Sequence, residues 1–279
     1  MAKRKRHLNI DKMLKEGRGS GKGSEYKPWI RIQDVPSLGR STRLKGIKTG
    51  RQHEFLSDME RDCFYLLEFS DEVEDIREQF PLLPIEDTLI IAKELGVEHP
   101  KNPKTGEFIV MTTDFLISIN HNNETYEVAR TIKPKDDLMN RRIIEKFYIE
   151  QKYWESKGIN WAIVTNEEIN KVIANNISFV HNYKDIKTID SFSNIEAMEL
   201  NDLLYAFIRK IIDNHKSMRT ICSEFDTEMC LERGSSLSIF KHLVINKIID
   251  IDITRKIDVN KSIPSIRVSE KSIKKVDVI

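Results

Sequence analysis

Residues 110–134 constrain the fold most, because their pattern is typical of an antiparallel β-hairpin. Two runs rich in β-branched and apolar side chains flank a polar turn, and Pro134 ends the second run because proline cannot continue a strand ladder. The predicted strands are residues 110–119 and 125–132, with the turn at 120–123. Asp114 lies on the first strand and Lys133 at the end of the second. We expect this acid and lysine to meet at one end of a sheet, although a stray acid and a surface lysine would give the same pattern.

A helix is predicted before the hairpin. Ser57 and Glu60 match the S-x-x-E capping box that begins a helix, and apolar residues then recur at helical spacing to Phe69. A strand-like run follows at residues 73–83, and a short helix near 89–95 lies in what is predicted to be an insertion.

A long helix and a short strand are predicted after the hairpin. The helix spans residues 138–157, with Asp136 and Asp137 as its N-terminal cap and Gly158 as its stop, and residues 161–165 form the strand. The predicted buried stripe of the helix is Ile144, Phe147, Tyr148, Gln151 and Trp154. The order helix, three strands, helix, strand predicts an α/β fold whose last strand pairs in parallel through a right-handed crossover.

The basic residues are concentrated at the N-terminus. Residues 1–53 contain fifteen Lys or Arg and four Asp or Glu, whereas the remainder contains 30 basic and 40 acidic residues. A basic arm on an acidic body favours a nucleic-acid or acidic-protein partner, although a solvated tail would have the same composition. The glycines at 17–23 predict a flexible arm, and its candidate phosphate contacts are Lys22, Lys27, Arg31, Arg40, Arg43 and Arg51, with Tyr26 and Trp29 for stacking. The alternative is an arm that packs on its own body through Trp29 and Ile30.

The composition excludes several classes of protein. The three cysteines, Cys63, Cys222 and Cys230, are odd in number and widely spaced, so neither a disulfide framework nor a zinc site is predicted. There is no apolar run near the roughly 18 residues of a membrane span, and the basic N-terminus lacks a signal-peptide core. We therefore expect a cytoplasmic protein that does not enter a membrane.

The pattern changes after about residue 168. Helices are predicted at 196–215, 218–228 and 236–245, the last capped by Ser235 or Ser236, and strands at 248–253 and 263–268. Three helices followed by a two-stranded ribbon suggest a winged-helix module, which binds DNA in some proteins and protein in others. Because the third helix carries only Lys241, His242 and Lys247 as basic residues, protein contact is favoured.

Phosphodiester hydrolysis at neutral pH needs a strong nucleophile and compensation of the charge on the phosphate, and a carboxylate-held divalent cation supplies both. Mg²⁺ keeps several waters and takes only one or two protein carboxylates. Asp114 and one glutamate from the first helix region would therefore be enough, with Glu54, Glu60 and Glu68 as candidates. Lys133 would orient the water or neutralise charge on the phosphate.

Four segments together resemble the TnsA family, the endonuclease subunits of heteromeric cut-and-paste transposases in bacteria. They are LSDME at 56–60, DIREQFPLLP at 75–84, TTDF at 112–115 and IKP at 132–134. The resemblance implies a restriction-endonuclease-like nuclease core followed by a winged-helix-like C-terminal domain. It divides the chain into a basic arm at 1–53, a catalytic domain at 54–168 and a C-terminal domain at 169–279.

The resemblance also implies the catalytic set. Glu60, Asp114 and Lys133 would form a Mg²⁺-dependent site in which Mn²⁺ substitutes. Where the family typically has Gln two positions before the lysine, this chain has Thr131, so the expected ligand is the Thr131 hydroxyl, acting through water, or the Ile132 carbonyl.

The expected partners follow from the same resemblance. They are double-stranded DNA at the transposon ends, a DDE-type transposase that cuts the other strand, and an AAA+ regulator that docks on the C-terminal domain. Two alternatives stay open: a restriction or junction-processing nuclease on the same fold, and a non-catalytic winged-helix adaptor whose nuclease core is inert.

Overall fold

A four-stranded mixed sheet organises the first half of the chain. The protein is described by a computed structural model that covers residues 10–34, 40–212 and 214–269. The chain divides into two compact units, Met1–Asn170 and Lys171–Ile279. In the first unit the elements are α1 (Ile10–Lys15), β1 (Thr42–Lys45), β2 (Gln52–Phe55), α2 (Asp58–Phe69), β3 (Val73–Pro81), α3 (Ile85–Glu94), β4 (Thr112–His121), β5 (Glu124–Ile132), α4 (Arg141–Ser156) and β6 (Asn160–Val164).

The sheet has the strand order β3-β4-β5-β6. The first two pairs are antiparallel, and β5 pairs with β6 in parallel, with Val128 opposite Asn160 and Ile132 opposite Val164. The expected element order, mixed α/β class and parallel final strand are therefore confirmed.

The hairpin turn is shorter than expected. Instead of four turn residues at 120–123, the strands extend to His121 and from Glu124, and only Asn122 and Asn123 form the turn. Both asparagines have a positive φ, 54° and 66°. Asparagine tolerates this left-handed region, which the two central residues of a tight hairpin turn require.

Helices cover both faces of the sheet. On one face Phe64 of α2 packs with Ile76, Phe115 and Ile117. On the other face Trp154 of α4 packs in a cluster whose sheet residues include Leu116 and Ala129. Alternate residues of β4 thus enter opposite cores, as the two-residue period of a strand requires.

The predicted details of α4 are partly wrong. Asp136 and Asp137 lie in a 3-10 turn, Lys135–Met139, and the side chain of Asn140 caps the helix by accepting from Arg142 N. The buried residues are Ile149, Glu150, Tyr153 and Trp154, so of the predicted stripe only Trp154 is buried. Tyr148 is 52% exposed. Because Glu150 is charged, it was not expected on the buried face of the helix. The predicted stripe of buried residues was therefore placed on neighbouring positions.

The described part of the N-terminal segment is folded against the sheet. Met13, Trp29 and Val110 form a buried cluster, as in the alternative of an arm packed on its own body. Gly19 lies so close to Pro81 that an added Cβ would come within 2.2 Å of the proline ring. The expected flexible arm is therefore wrong for residues 10–34. Residues 40–53 of the predicted arm contain β1 and the start of β2, and residues 1–9 and 35–39 lie outside the described residues.

The second unit is mainly helical. It contains α5 (Lys171–Val180), α6 (Ala197–Ile211), α7 (Met218–Glu228), α8 (Ser235–Ile245), β7 (Ile249–Asp250) and β8 (Arg267–Val268), with short 3-10 turns between α5 and α6. The three predicted helices are present, α5 was not predicted, and the ribbon has only two residues in each strand. The winged-helix assignment stays a prediction.

The cap of α8 differs from the expected serine. Gly234 occupies the N-cap position with φ 97°. The buried carboxylate of Asp226, on α7, accepts from the backbone N–H groups of Gly234 and Ser236 at 2.7 and 2.8 Å. A carboxylate at a helix N-terminus is favoured by the unpaired N–H groups and the helix dipole. Separately, no helix within the described residues is long and apolar enough to cross a membrane.

Candidate active site

Glu60 is placed by the first turn of α2. The Oγ of Ser57 accepts from Glu60 N at 3.2 Å, and the Glu60 carboxylate accepts from Leu56 N at 3.0 Å and from Ser57 Oγ at 2.8 Å. The predicted capping box is confirmed. The same bonds fix the carboxylate, which is 7% exposed, in the wall of a cavity.

Asp114 lies at the point where β4 and β5 stop pairing. The last paired residues of β4 and β5 are Phe115 and Arg130, whereas β5 continues beside β6 as far as Ile132. In place of a strand partner, Ile132 N donates to Oδ2 of Asp114 at 2.7 Å. The separation of the two strands turns this side chain into the same cavity as Glu60.

Gln79 of β3 links the two acids. Its Nε2 lies 3.5 Å from Oε2 of Glu60 and 3.1 Å from Oδ1 of Asp114, and its Oε1 accepts from Thr112 Oγ1 at 3.2 Å. Sequence reasoning missed Gln79 as a site residue. The available signal was its place within the DIREQFPLLP segment, but a neutral amide on a predicted strand gives no chemical indication of a role.

Lys133 lines the cavity together with Glu60 and Asp114. Its ammonium is 3.3 Å from Oδ2 of Asp137, and its side chain is 33% exposed. Lys133 N donates to Val164 O at 3.0 Å, so the parallel pairing of β5 with β6 fixes its backbone at the rim. The structure thus brings together the three residues predicted as the catalytic set.

Thr131 is engaged with a residue that sequence reasoning missed. Its hydroxyl donates to the buried carboxylate of Glu150 and accepts from Trp161 Nε1 at 3.2 Å. Thr113 Oγ1 donates to the same carboxylate at 2.6 Å. These bonds use the proton and one lone pair of the Thr131 hydroxyl, which leaves one lone pair, and Thr131 lines the cavity, so its contact with a metal, or that of the Ile132 carbonyl, stays a prediction. Glu150 was missed because a glutamate on an amphipathic helix is usually a surface residue.

The other glutamate candidates have different roles. Glu54 accepts from Ile32 N at 2.7 Å and pairs with Arg43 at 2.9 Å. Glu68 accepts from Ile47 N at 2.5 Å. Of the three candidates, only Glu60 lines the cavity.

The cavity measures about 710 Å³ and combines acids with cations. Lys133 and Lys146 supply positive charge in its lining, and Glu60, Asp114 and Glu150 supply carboxylates. Burial, Arg142 and Lys133 lower the pKa of Lys146. Lys146 was not predicted, because a lysine on a long helix carries no distinctive pattern.

The acids are short of compensating charge. Burial and then the charge of Asp114 raise the pKa of Glu60. Burial raises the pKa of Asp114, with Glu150 adding to the effect, while the bonds from Ile132 and Gln79 and the charge of Lys133 oppose it. Neighbouring carboxylates whose ionisation is disfavoured by burial and by nearby negative charge form an arrangement that a cation would stabilise.

The donor set fits a hard divalent cation. Within the residues that the structure describes, no group of three or more His, Cys, Asp or Glu forms a ready-made metal cluster. Mg²⁺ needs only one or two carboxylates, because water completes its coordination. Glu60 and Asp114 supply that number of oxygen ligands, in a cavity large enough for water and a phosphate group.

The predicted DNA contacts differ in their surroundings. Lys22, Lys27, Arg40 and Arg43 are exposed, and Arg31 is half-buried. Arg51 differs: its side chain is 8% exposed, and its guanidinium donates to both carboxylate oxygens of buried Glu78, at 2.8 and 2.5 Å. This pairing favours a structural role for Arg51, and its contact with a phosphate stays a prediction.

Comparison with known proteins identifies the family. A model described as TnsA-like endonuclease N terminal matches residues 70–166, and one described as TnsA endonuclease C terminal matches residues 168–253. The chain belongs to the TnsA endonuclease family. The chain is also 38% identical over 254 residues to the transposon Tn7 transposition protein TnsA of Escherichia coli, which covers 91% of this chain and 89% of that protein. Family membership supports a nuclease that acts in transposition, and the N-terminal match begins after α2, so Glu60 lies outside it.

Proposed function

We propose that the protein is the DNA endonuclease subunit of a transposase and cleaves the 5′ ends of the transposon in a Mg²⁺-dependent reaction. The observation that carries the proposal is the pair of carboxylates, buried Glu60 and half-buried Asp114, in one cavity at the point where β4 and β5 separate. The central mixed sheet with helices on both faces supports a restriction-endonuclease-like core.

The residues divide the chemistry between them. Glu60 and Asp114 would hold the cation, and Mn²⁺ would substitute for Mg²⁺ there. A bound divalent cation acts as a Lewis acid and lowers the pKa of water. Lys133 and Lys146 would face the scissile phosphate and neutralise the charge that develops on its oxygens. Water oxygen bonds to phosphorus as the bond to the 3′ oxygen breaks, which leaves a 5′-phosphate and a 3′-hydroxyl.

The basic N-terminal segment would bind the DNA backbone. Lys22, Lys27, Arg40 and Arg43 are exposed and suit phosphate contacts without base readout. Sequence preference would then rest with a DDE-type transposase, which cuts the other strand.

The C-terminal unit favours protein contact. The ammonium of Lys241 lies 4.1 and 4.4 Å from the ring centres of Phe179 and Tyr183. His242 Nδ1 lies 2.9 Å from Tyr183 O. Since these basic groups of α8 are engaged inside their own unit, we propose that the winged-helix-like unit docks an AAA+ regulator and does not read DNA.

The test is Asp114→Asn in a purified reaction with transposon-end DNA, the DDE partner and Mg²⁺. We expect 5′ cleavage to fall at least about 100-fold, because loss of a ligand exceeds the 10–100-fold cost typical of a residue that only orients one. Asp136→Asn, an exposed neighbour of the site, is the matched control and should cleave normally. Wild-type cleavage by Asp114→Asn would refute the site.

The same reagents distinguish the proposed function from the two alternative functions. An inert adaptor would bind no Mn²⁺ and cut no strand. A restriction or junction nuclease would cut DNA that lacks transposon ends, without the partner.

A further inference from the structure

We infer that Gln79 is a positioning residue that holds the Glu60 and Asp114 carboxylates at the separation a cation requires. This inference rests on the proposed function, because it assigns a role within the same site. The inference gives a function to Gln79, a buried neutral side chain that is neither one of the acids nor one of the lysines of the cavity.

The carboxamide has one defined orientation. Its Oε1 accepts from the Thr112 hydroxyl at 3.2 Å, so its Nε2 faces the acids. Nε2 carries two hydrogens, and its contacts are with Glu60 at 3.5 Å and Asp114 at 3.1 Å. One amide group therefore spans two acids that lie 54 positions apart in the sequence, on α2 and β4.

The amide compensates for what the two acids lack. Like charges in a buried site repel, and a hydrogen-bond donor to the charged form favours ionisation. Gln79 itself is 3% exposed, so a lost contact would leave a buried polar group unpaired. In this arrangement one neutral amide nitrogen contacts both carboxylates and fixes their positions relative to each other.

The backbone of Gln79 is held in an uncommon conformation. Its φ is +48°, in the left-handed region that a non-glycine residue seldom adopts. The N-terminal segment fixes this conformation from outside the sheet: Trp29 N donates to Gln79 O at 3.2 Å, and Tyr26 Oη donates to Glu78 O at 3.0 Å. Residues held in sparsely populated conformations cluster at functional sites, because the surrounding structure must maintain them.

The primary experiment compares Mn²⁺ binding by the full-length wild type and Gln79→Met in isothermal titration calorimetry, without DNA. Methionine keeps the length of the side chain and removes both the carbonyl oxygen and the NH₂ group of the amide. We expect a 10–100-fold weaker affinity, the range found when a residue that orients a metal ligand is removed. Gln52→Met makes the same chemical change at an exposed position and should leave the affinity unchanged.

The titration separates positioning from folding. If Gln79→Met only destabilised the protein, the stoichiometry would fall while the affinity of the folded fraction stayed the same, and the inference would be overturned. Thr112→Val is a second, nearly isosteric variant. It removes the hydroxyl that orients the amide, and we expect a smaller loss of affinity in the same direction.

Cleavage kinetics provide a second readout. Because Gln79 does not touch the DNA-binding residues, kcat should fall in Gln79→Met while KM for DNA stays unchanged. Failure of this inference and failure of the proposed function give different results. If the wild type binds no Mn²⁺, the proposed metal site fails. If the wild type binds and both variants bind equally well, only the role of Gln79 fails.

Discussion

Glu78 and Gln79 are neighbours on β3, yet they belong to two polar clusters with opposite electrostatics. Glu78 is fully buried and meets two basic groups, the Arg51 guanidinium at 2.5 Å and His53 Nδ1 at 2.8 Å. Gln79 meets two acids, Glu60 and Asp114. We call these the ionic cluster (Arg51, His53 and Glu78) and the acid cluster (Glu60, Gln79 and Asp114).

The pKa values move in opposite directions in the two clusters. Burial by itself would raise the pKa of Glu78, but the charge of His53 and the bonds from Arg51 and His53 lower it to about 2. In the acid cluster, burial and the charge of Asp114 raise the pKa of Glu60, and burial and the charge of Glu150 raise the pKa of Asp114. Burial is common to both, so the partners decide the outcome.

The difference distinguishes a structural cluster from a functional one. The ionic cluster is complete within the chain and joins the β1–β2 ribbon to the sheet. The acid cluster is electrostatically incomplete, and groups with strongly perturbed pKa values in a cavity are candidates for function. A bound cation would compensate for the repulsion among its carboxylates.

Neutralising one acid in each cluster should have unequal effects on stability. Glu78→Gln leaves Arg51 and His53 without a buried counter-charge, and we expect the free energy of unfolding to fall by about 3–5 kcal/mol. Glu60→Gln relieves repulsion and keeps a side chain that fits the capping box, so it should not reduce stability.

Urea unfolding followed by tryptophan fluorescence measures this contrast. The three tryptophans, Trp29, Trp154 and Trp161, all lie in the first unit, so the signal reports the unit that contains both clusters. Glu72→Gln is the control for an exposed pair with His121, worth at most about 1 kcal/mol. Equal losses in Glu78→Gln and Glu60→Gln would break the distinction between the clusters.

The two clusters should also respond to pH with opposite sign. The folded pKa values of Glu60 and Asp114 lie above their unfolded values of about 4.3 and about 3.9, so the charged pair reduces stability at neutral and higher pH. As pH falls from 8 to 5.5 in EDTA, the folded pair gains protons, and the wild type should gain stability relative to Glu60→Gln.

Glu78 affects the stability of the protein at a lower pH than Glu60 and Asp114 do. Its stabilising contribution is present above the unfolded value of about 4.3 and is lost as pH falls towards its folded pKa of about 2. Urea midpoints at pH 8, 5.5 and 3 for the wild type, Glu60→Gln and Glu78→Gln resolve both windows. A difference between the wild type and Glu60→Gln that does not change from pH 8 to 5.5 would contradict the raised pKa values.

The smallest expected effects on stability come from substitutions that test whether Arg51 belongs to the ionic cluster. Lysine cannot reproduce the two-pronged contact with Glu78, so Arg51→Lys should lose about 1–3 kcal/mol of stability. Lys27→Ala changes an exposed side chain and should alter stability by less than about 0.5 kcal/mol.

For DNA binding, Lys27→Ala should have the larger effect and Arg51→Lys the smaller. Lys27→Ala should reduce the slope of log affinity against log salt by about one, whereas Arg51→Lys should leave it unchanged. Fluorescence anisotropy with labelled duplex DNA measures both slopes. Unchanged stability in Arg51→Lys would show that the ionic cluster does not need the guanidinium.

The sequence was most informative where short-range patterns determine structure. The capping box at Ser57, the hairpin, the element order and the α7 boundaries follow from periodicity and local hydrogen bonding, which act within a few residues. The turn and the caps of α4 and α8 were placed less well, because several polar residues competed for each position. Asp226 caps α8 from another helix, and no local pattern contains that contact.

The site was predictable only in part. Glu60, Asp114 and Lys133 belong to motifs with characteristic residue types, and the structure brings them together. Lys146 and Glu150 reach the cavity through the packing of α4, and Gln79 contacts the two acids of the cavity from β3. Arg51 and Thr131 have the expected residue types, but each is already bonded to a buried glutamate, and the sequence does not show these partners.

The contact between Tyr26 and Glu78 joins residues 52 positions apart. The strand β5 can pair with β6 only after residues 160–164 have been synthesised. Contacts between distant parts of a chain form slowly, and domains generally fold as units. During synthesis, the residues that fix Gln79 leave the ribosome long before β3, and Lys133 leaves before the β6 strand that anchors it. An unfinished chain that lacks residues 160–164 would therefore carry Glu60, Asp114 and Lys133 without the strand that anchors the backbone of Lys133.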